Sequence, residues 1–175
     1  MVEMIKKIEN KLVVMKYHIS LGSNIGKRET NLAQAIMLLK KNGVNIVKKS
    51  SIYETFPVGD TEQPWFLNQV LEVQTESEPR AFLRLVKGIE KKMGRTCTTP
   101  KGPRCIDIDI LLAENKIVQS EDLNIPHPEM ANRNFVLVPL EEIAGDAIHP
   151  IRKEKIGVLW RKSKDRSIVR PYVPV

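Results

Sequence analysis

The sequence predicts an α+β sandwich, an antiparallel sheet with two helices packed on one face, and three observations carry that prediction. Apolar and polar residues alternate over 17–21, 66–73 and 105–112, the period of a half-buried strand. Apolar residues recur at helical spacing over 32–39 and 82–93, so each helical stretch lies between stretches of strand character. The 175 residues amount to one domain, long enough to bury about 70% of its unfolded surface without a metal or disulfide staple.

Residues 17–21 form the first strand and run into a turn-rich loop, Gly22-Ser23-Asn24-Ile25-Gly26. Leu32, Ala35, Ile36 and Leu39 mark the first helix, opened near Thr30 or Asn31 and stopped at Gly43. Residues 44–55 are β-compatible despite their lysines, and 56–64 are loop because Pro57, Gly59 and Pro64 punctuate them. Over 66–73, Leu67, Leu71 and Val73 face one way and Asn68, Val70 and Glu72 the other. Pro79 opens the second helix, whose buried stripe is Phe82, Val86, Ile89 and Met93, and Gly94 ends it. The clearest strand is 105–112. It points Ile106, Ile108, Ile110 and Leu112 to one face and Cys105, Asp107, Asp109 and Leu111 to the other. The order β-α-β-β-α-β is that of a ferredoxin-like sandwich. C-terminal helical additions follow: a proline-interrupted helix over 135–143, then one amphipathic turn around Ile156, Leu159 and Trp160 and a frayed end.

Composition narrows the function. Apolar residues are 42% and charged residues 28%, which excludes a disordered or fibrous chain. No apolar run approaches a membrane span, and the N-terminus lacks the uninterrupted apolar centre of a secretory signal. Cys97 and Cys105 form no disulfide framework or metal-type spacing, so a reducing cytoplasm is expected. The net charge of +7 suggests a nucleic-acid partner until it is divided along the chain. Residues 1–16 carry four basic and two acidic groups and residues 151–175 carry eight and two, which leaves 16 basic and 17 acidic over 17–150. The body is therefore no basic platform, and no specific nucleic-acid partner is expected.

Asp107 and Asp109 are the most informative pair. Two apart on a strand, both carboxylates leave the same face, where they repel unless a cation or a proton sits between them. They read either as a site for a hard divalent ion such as Mg²⁺ or as a solvated sheet edge. Lys101-Gly102-Pro103-Arg104 immediately upstream, and Arg95 after the second helix, favour the first reading, because cations beside a two-carboxylate site describe a polyphosphate clamp. Neither a Gly-x-x-x-x-Gly-Lys-Ser/Thr loop nor a kinase catalytic loop is present. Phe66 and Asn68 share a strand face; they suit a flat heterocycle, stacked and hydrogen-bonded, or are a core ring beside a turn amide. His127, held between prolines, is either a phosphate contact or a satisfied polar group, and Arg133 with Phe135 repeats the pairing of cation and ring. Cys97 and Cys105 have no nearby histidine to activate a thiolate and read as structural.

Taken in order, Ser20-Leu21-Gly22-Ser23-Asn24-Ile25-Gly26, Ser51-Ile52-Tyr53-Glu54-Thr55, Gln63-Pro64-Trp65-Phe66-Leu67-Asn68, Ile89-Glu90 with Gly94-Arg95, Gly102-Pro103-Arg104 with Asp107-Ile108-Asp109-Ile110, and Pro126-His127 with Arg133 and Phe135 resemble the 6-hydroxymethyl-7,8-dihydropterin pyrophosphokinase family of folate biosynthesis. The resemblance runs from residue 17 to about residue 160 and implies a ferredoxin-like fold. It implies transfer of the terminal diphosphate of ATP to the pterin's hydroxymethyl oxygen, with release of AMP. Separately, a monomer without a membrane or specific nucleic-acid partner is expected. From the resemblance, Asp107 and Asp109 are expected to hold two Mg²⁺ ions, Arg95 and Arg104 to bind phosphates, and His127 and Arg133 to contact the nucleotide further. Glu90 and Ile110 match the adenosine side, and Thr55, Val58, Phe66, Asn68 and Phe135 the pterin pocket, where two rings sandwich the bicycle.

The chain departs from the family at two positions. Cys97 stands where members carry a second arginine, and Lys101 where they commonly carry tryptophan, in a loop about one residue shorter. Lys101 is expected to restore part of the lost charge toward ATP. Residues 1–16 read as an N-terminal extension, 17–160 as the pyrophosphokinase domain and 161–175 as a basic tail. Two other classes stay open: a phosphotransferase of this fold with another acceptor, and a non-catalytic ferredoxin-like binding module. The second is disfavoured by the 5% aromatic content, since RNA-reading sheets expose several rings.

Overall fold

Along the chain, β1 (Met15–Ser23) leads into α1 (Arg28–Lys41), and three strands follow, β2 (Asn45–Lys49), β3 (Tyr53–Thr55) and β4 (Phe66–Thr75). Next come α2 (Pro79–Lys92), β5 (Asp107–Ala113), a small hairpin of β6 (Val118–Gln119) and β7 (Asn124–Ile125), and a 3-10 turn at Met130–Asn132. α3 (Asn134–Ala144), α4 (Ile156–Lys162) and β8 (Val169–Pro171) complete the fold. The structure is a computed structural model that describes residues 13–57, 62–94, 102–114 and 116–174.

β1 is central, antiparallel to β4 on one side and β5 on the other, and the sheet runs β5-β1-β4-β3-β8 with β2 also paired to β4. This is the strand order a β-α-β-β-α-β sandwich requires once β2 and β3 are taken together. The single β stretch expected over 44–55 is thus two short strands. Gly22 and Ser23, expected in a loop, belong to β1 because they pair with Asn68 and Leu67.

α1 and α2 cover one face. Ile19, Leu21, Leu67, Leu71, Ile106, Ile108 and Ile110 pack there against Leu32, Leu39, Phe82, Val86 and Ile89, and the Tyr17 and Phe82 rings lie 4.6 Å apart. α1 starts at Arg28, ahead of the expected Thr30 or Asn31, and left-handed glycines Gly43 and Gly94 end the two helices. The opposite face is half covered. Val70, Leu111 and Leu112 meet Val136, Leu137 and Leu140 of α3 and Ile156 and Leu159 of α4. Leu112 was expected beside the isoleucines, but a β-bulge intervenes: Ile19 pairs with Ile110 and His18 with Leu112, so Leu111 and Leu112 both join the second cluster.

The C-terminus also differs from expectation. Ile156 and Leu159 are buried but Trp160 is 38% exposed, and the end expected to fray adds β8 to the sheet beside β3. β1 likewise begins at Met15, inside the segment read as an extension. Among the described residues no helix is long and apolar enough to cross a membrane.

Candidate active site

The uncovered half of the second sheet face is the floor of a cavity of about 160 Å³. Register builds that floor. Gly22 on β1 stands opposite Asp107 on β5 and Asn68 on β4, and in the next row Ser20 stands opposite Asp109 and Val70. The alternation of strand side chains puts both carboxylates, the serine and the amide on one face. Gly22 keeps the middle of the floor clear: a Cβ there would lie 3.0 Å from Asn68 Oδ1 and 3.8 Å from Phe66 Cδ1, so Asn68 would have to shift.

The walls are rings and guanidinium groups. Phe66 and Phe135 both line the cavity, with Arg104 5.6 Å from the first ring centre and Arg133 5.8 Å from the second. Asn68 Nδ2 donates to Thr55 Oγ1 at 2.6 Å, which fixes the amide and aims its oxygen toward Gly22. Arg104 Nε lies 3.5 Å from Asp107 Oδ2 and is buried without a hydrogen-bond partner among the described residues. A buried guanidinium nitrogen beside a carboxylate pair is what an anionic ligand would satisfy.

A second cavity, about 230 Å³, follows the outer edge of β5 and shares Asp109 with the first. Lys87, Ile110, Asp122 and His127 line it. His127 follows a cis Ile125–Pro126 bond, and its Nδ1 accepts the Glu129 N–H at 3.1 Å, which leaves the proton of a neutral ring on Nε2. Burial and, after it, the nearby Arg133 hold the imidazole below its ordinary pKa. Glu90 is buried on α2, pairs with Lys87 at 3.0 Å and accepts the Ile108 N–H at 2.7 Å. Its carboxylate therefore fixes the edge strand between the two aspartates.

A family model described as 7,8-dihydro-6-hydroxymethylpterin-pyrophosphokinase (HPPK) matches residues 18–145, well over half of the chain. The chain belongs to the HPPK family. Membership makes this domain an enzyme, an ATP-dependent diphosphotransferase of folate synthesis. The 2-amino-4-hydroxy-6-hydroxymethyldihydropteridine pyrophosphokinase of Bacillus subtilis is 49% identical over 127 residues, 72% of this chain and 76% of that protein. Its namesake in Haemophilus influenzae is 40% identical over 154 residues, 87% of this chain and 96% of that protein. The folic acid synthesis protein fol1 of Pneumocystis carinii is 41% identical over 168 residues, but this chain spans only 23% of its length. A crystal structure of Plasmodium falciparum HPPK-DHPS A437G with STZ-DHP shares the fold, at a TM-score of 0.68 and 16% identity over 88% of this chain and 46% of that one.

The HPPK domain brings Thr55, Phe66, Asn68, Arg104, Asp107, Asp109, Arg133 and Phe135 to the first cavity and Asp109, Ile110 and His127 to the second. Glu90, expected to line the adenosine side, lines neither; it is a support for β5. Val58, Arg95 and Lys101, with Cys97, lie outside the described residues. Sequence reasoning assigned no role to Ser20, Gly22, Phe56 or Gln63, all of which line the first cavity. For Ser20 and Gly22 a signal existed, since they sit two apart on a strand next to the two aspartates.

The chain has three histidines, and in each the pKa is lowered. Burial is the main cause at all three; at His18 it outweighs the opposing carboxylate of Glu72, 3.3 Å away. Below pH ~6.5 the unfolded chain therefore binds more protons than the folded one. Stability is full above that pH and is lost as pH falls toward the depressed native values. The melting temperature should accordingly rise from pH 5 to pH 7 and level off by pH 8. A flat profile between pH 5 and 7 would contradict the three depressed imidazoles.

Proposed function

We propose that the enzyme transfers the terminal diphosphate of ATP to the hydroxymethyl oxygen of 6-hydroxymethyl-7,8-dihydropterin. The alcohol oxygen bonds to the β-phosphorus and gives up its proton, the bridge between the α- and β-phosphorus breaks, and AMP leaves. The observation that carries this reading is the row Asp107, Gly22, Asn68 across three strands. It sets an anion-handling half and a ring-and-amide half side by side on one floor.

In this reading Phe66, Phe135, Thr55 and Asn68, with Val58, receive the pterin. Arg104 and Arg133, with Arg95 and Lys101, take phosphate oxygens, and His127 and Ile110 lie toward the adenosine. Asp107 and Asp109 would hold two Mg²⁺ ions. The residues fit: both carboxylates line the cavity, yet among the described residues no group of three or more metal-ligating side chains is gathered. Two carboxylates on one face would hold Mg²⁺ together with phosphate oxygens of the substrate. When bound, Mg²⁺ would withdraw charge from the phosphates, while the chain's own groups align alcohol and phosphorus and keep the guanidinium donors in place. A monomer in a reducing cytoplasm accompanies this reading, in keeping with Cys105 as a free thiol donating to the Met93 carbonyl at 3.0 Å.

The direct test is incubation with ATP, Mg²⁺ and the hydroxymethyl pterin. One AMP should form per pterin consumed, and none with a pterin lacking the hydroxymethyl group; ADP in place of AMP would reject diphosphate transfer. Gly22→Ala probes the floor. The new methyl must displace Asn68, so the KM for pterin should rise about tenfold, the cost of one displaced polar contact. An unchanged KM would show that the amide does not read the substrate.

A further inference from the structure

We propose that residues 163–172 form a strap that positions both ring-bearing walls of the first cavity, with Asp165 and Arg170 as its positioning residues. The proposal rests on the reading of that cavity as the pterin site. The segment lies outside the family match, which ends at residue 145.

At one end the strap grips α3. Asp165 accepts both bonds from Asn134, the backbone N–H on Oδ2 at 2.6 Å and Nδ2 on its carbonyl at 2.9 Å. Asn134 is the first residue of α3, between Arg133 and Phe135, and the helix has no side-chain cap from its own N-cap residue. Asp165 supplies that cap from 31 residues away and places a carboxylate at the positive end of the helix. The carboxylate is itself held: Ser167 N–H donates to Oδ1 and Ser167 Oγ to Oδ2, both at 2.8 Å. Burial alone would raise its pKa, but these donors outweigh burial and keep it below the ordinary carboxylate value.

At the other end the strap grips the opposite wall. Ile168 C=O accepts the Phe56 N–H at 3.2 Å, and β8 pairs Val169 with Thr55 and Arg170 with Glu54. Arg170 Nη2 donates to Glu54 Oε2 at 2.6 Å, and its guanidinium lies 4.7 Å from the Trp65 ring centre. The other Glu54 oxygen takes Arg28 Nη2 at 3.0 Å, and Arg28 Nη1 donates to the Trp65 carbonyl at 2.7 Å. Trp65 immediately precedes Phe66. One ten-residue segment thus sets Phe135 from one side and Thr55 and Phe66 from the other.

Steady-state kinetics of Asp165→Ala and Arg170→Ala, with Asp165→Asn as the conservative variant, test the strap. Each alanine variant should raise the KM for pterin about five- to tenfold, the effect of losing one cap or charged contact, with the KM for ATP within about twofold. Asparagine is a good cap, so Asp165→Asn should recover most of the loss. A lower melting temperature with both KM values unchanged, or both changed equally, would overturn the proposal and leave a purely structural tail. Should Asp165→Ala fail to fold, Arg170→Ala and Asp165→Asn carry the same comparison. Calorimetric titration of pterin into wild-type protein with a non-hydrolysable ATP analogue separates the two levels. If the wild type binds no pterin, the site reading falls and the strap with it; if wild type and alanine variants bind alike, only the strap falls.

Discussion

Asp107→Ala and Asp109→Ala are each expected to lower turnover by about three powers of ten or more, the loss of several kcal/mol of charge stabilisation on the reacting phosphates. Circular dichroism should not change. Both side chains stand on the cavity face, while Ile106, Ile108 and Ile110 between and beside them are buried on the helix face, so truncation opens no core cavity. The asparagine variants sharpen the test, since they keep the shape and remove only the charge. If Asp107→Asn and Asp109→Asn turn over within about tenfold of wild type, charge on this strand face is not what handles the phosphates. Loss of activity with loss of ellipticity would instead mark a structural pair.

The parts of the site that lie along single strands were legible in the sequence, because a period of two is a local property. Asp107 with Asp109 and Phe66 with Asn68 needed only the count of residues between them, and each pair does line the cavity. What the count could not reach was pairing between strands. Gly22 becomes the middle of the floor only once β1 is set between β4 and β5, and the bulge opposite His18 and Ile19 shifts Leu112 to the second core although its local alternation is unbroken. Glu90 lies in a legible helix, next to Ile89 of its buried stripe, but that its carboxylate bonds the backbone of Ile108, 18 residues on, and so supports the edge strand, is a tertiary fact that no local period shows. β8 is three residues long and contains Pro171, too short to show alternation; its strand character comes from β3 beside it.

Asn24→Ala is expected to lower the melting temperature by about 6–12 °C and, well below that temperature, to cut turnover about a hundredfold. Asn24 is 1% exposed and joins three segments that are far apart in sequence. Its Oδ1 accepts the Arg104 N–H at 2.8 Å and its own N–H donates to the Arg104 carbonyl at 3.1 Å, while Nδ2 donates to Gln63 Oε1 at 2.9 Å and the Pro64 carbonyl at 3.1 Å. Those segments carry Gly22, then Phe66 and Asn68, then Arg104 and Asp107, so one amide sets the separation of ring wall and phosphate wall. Alanine removes three hydrogen bonds, those to the part-buried Arg104 N–H and Pro64 carbonyl and to the buried Gln63 Oε1, at about 1 kcal/mol for each. The loss in turnover follows from displacing Arg104 and Asp107 relative to the floor by a fraction of an ångström or more, because the reaction depends on alignment. Asn24→Asp separates the two effects. It keeps the acceptor toward Arg104 but turns a second acceptor toward the Pro64 carbonyl, so the phosphate wall should hold while the ring wall moves. Its KM for pterin should rise more than its KM for ATP. If Asn24→Ala keeps both melting temperature and turnover, the three segments are held by their strands alone, and the amide is a passenger in the turn.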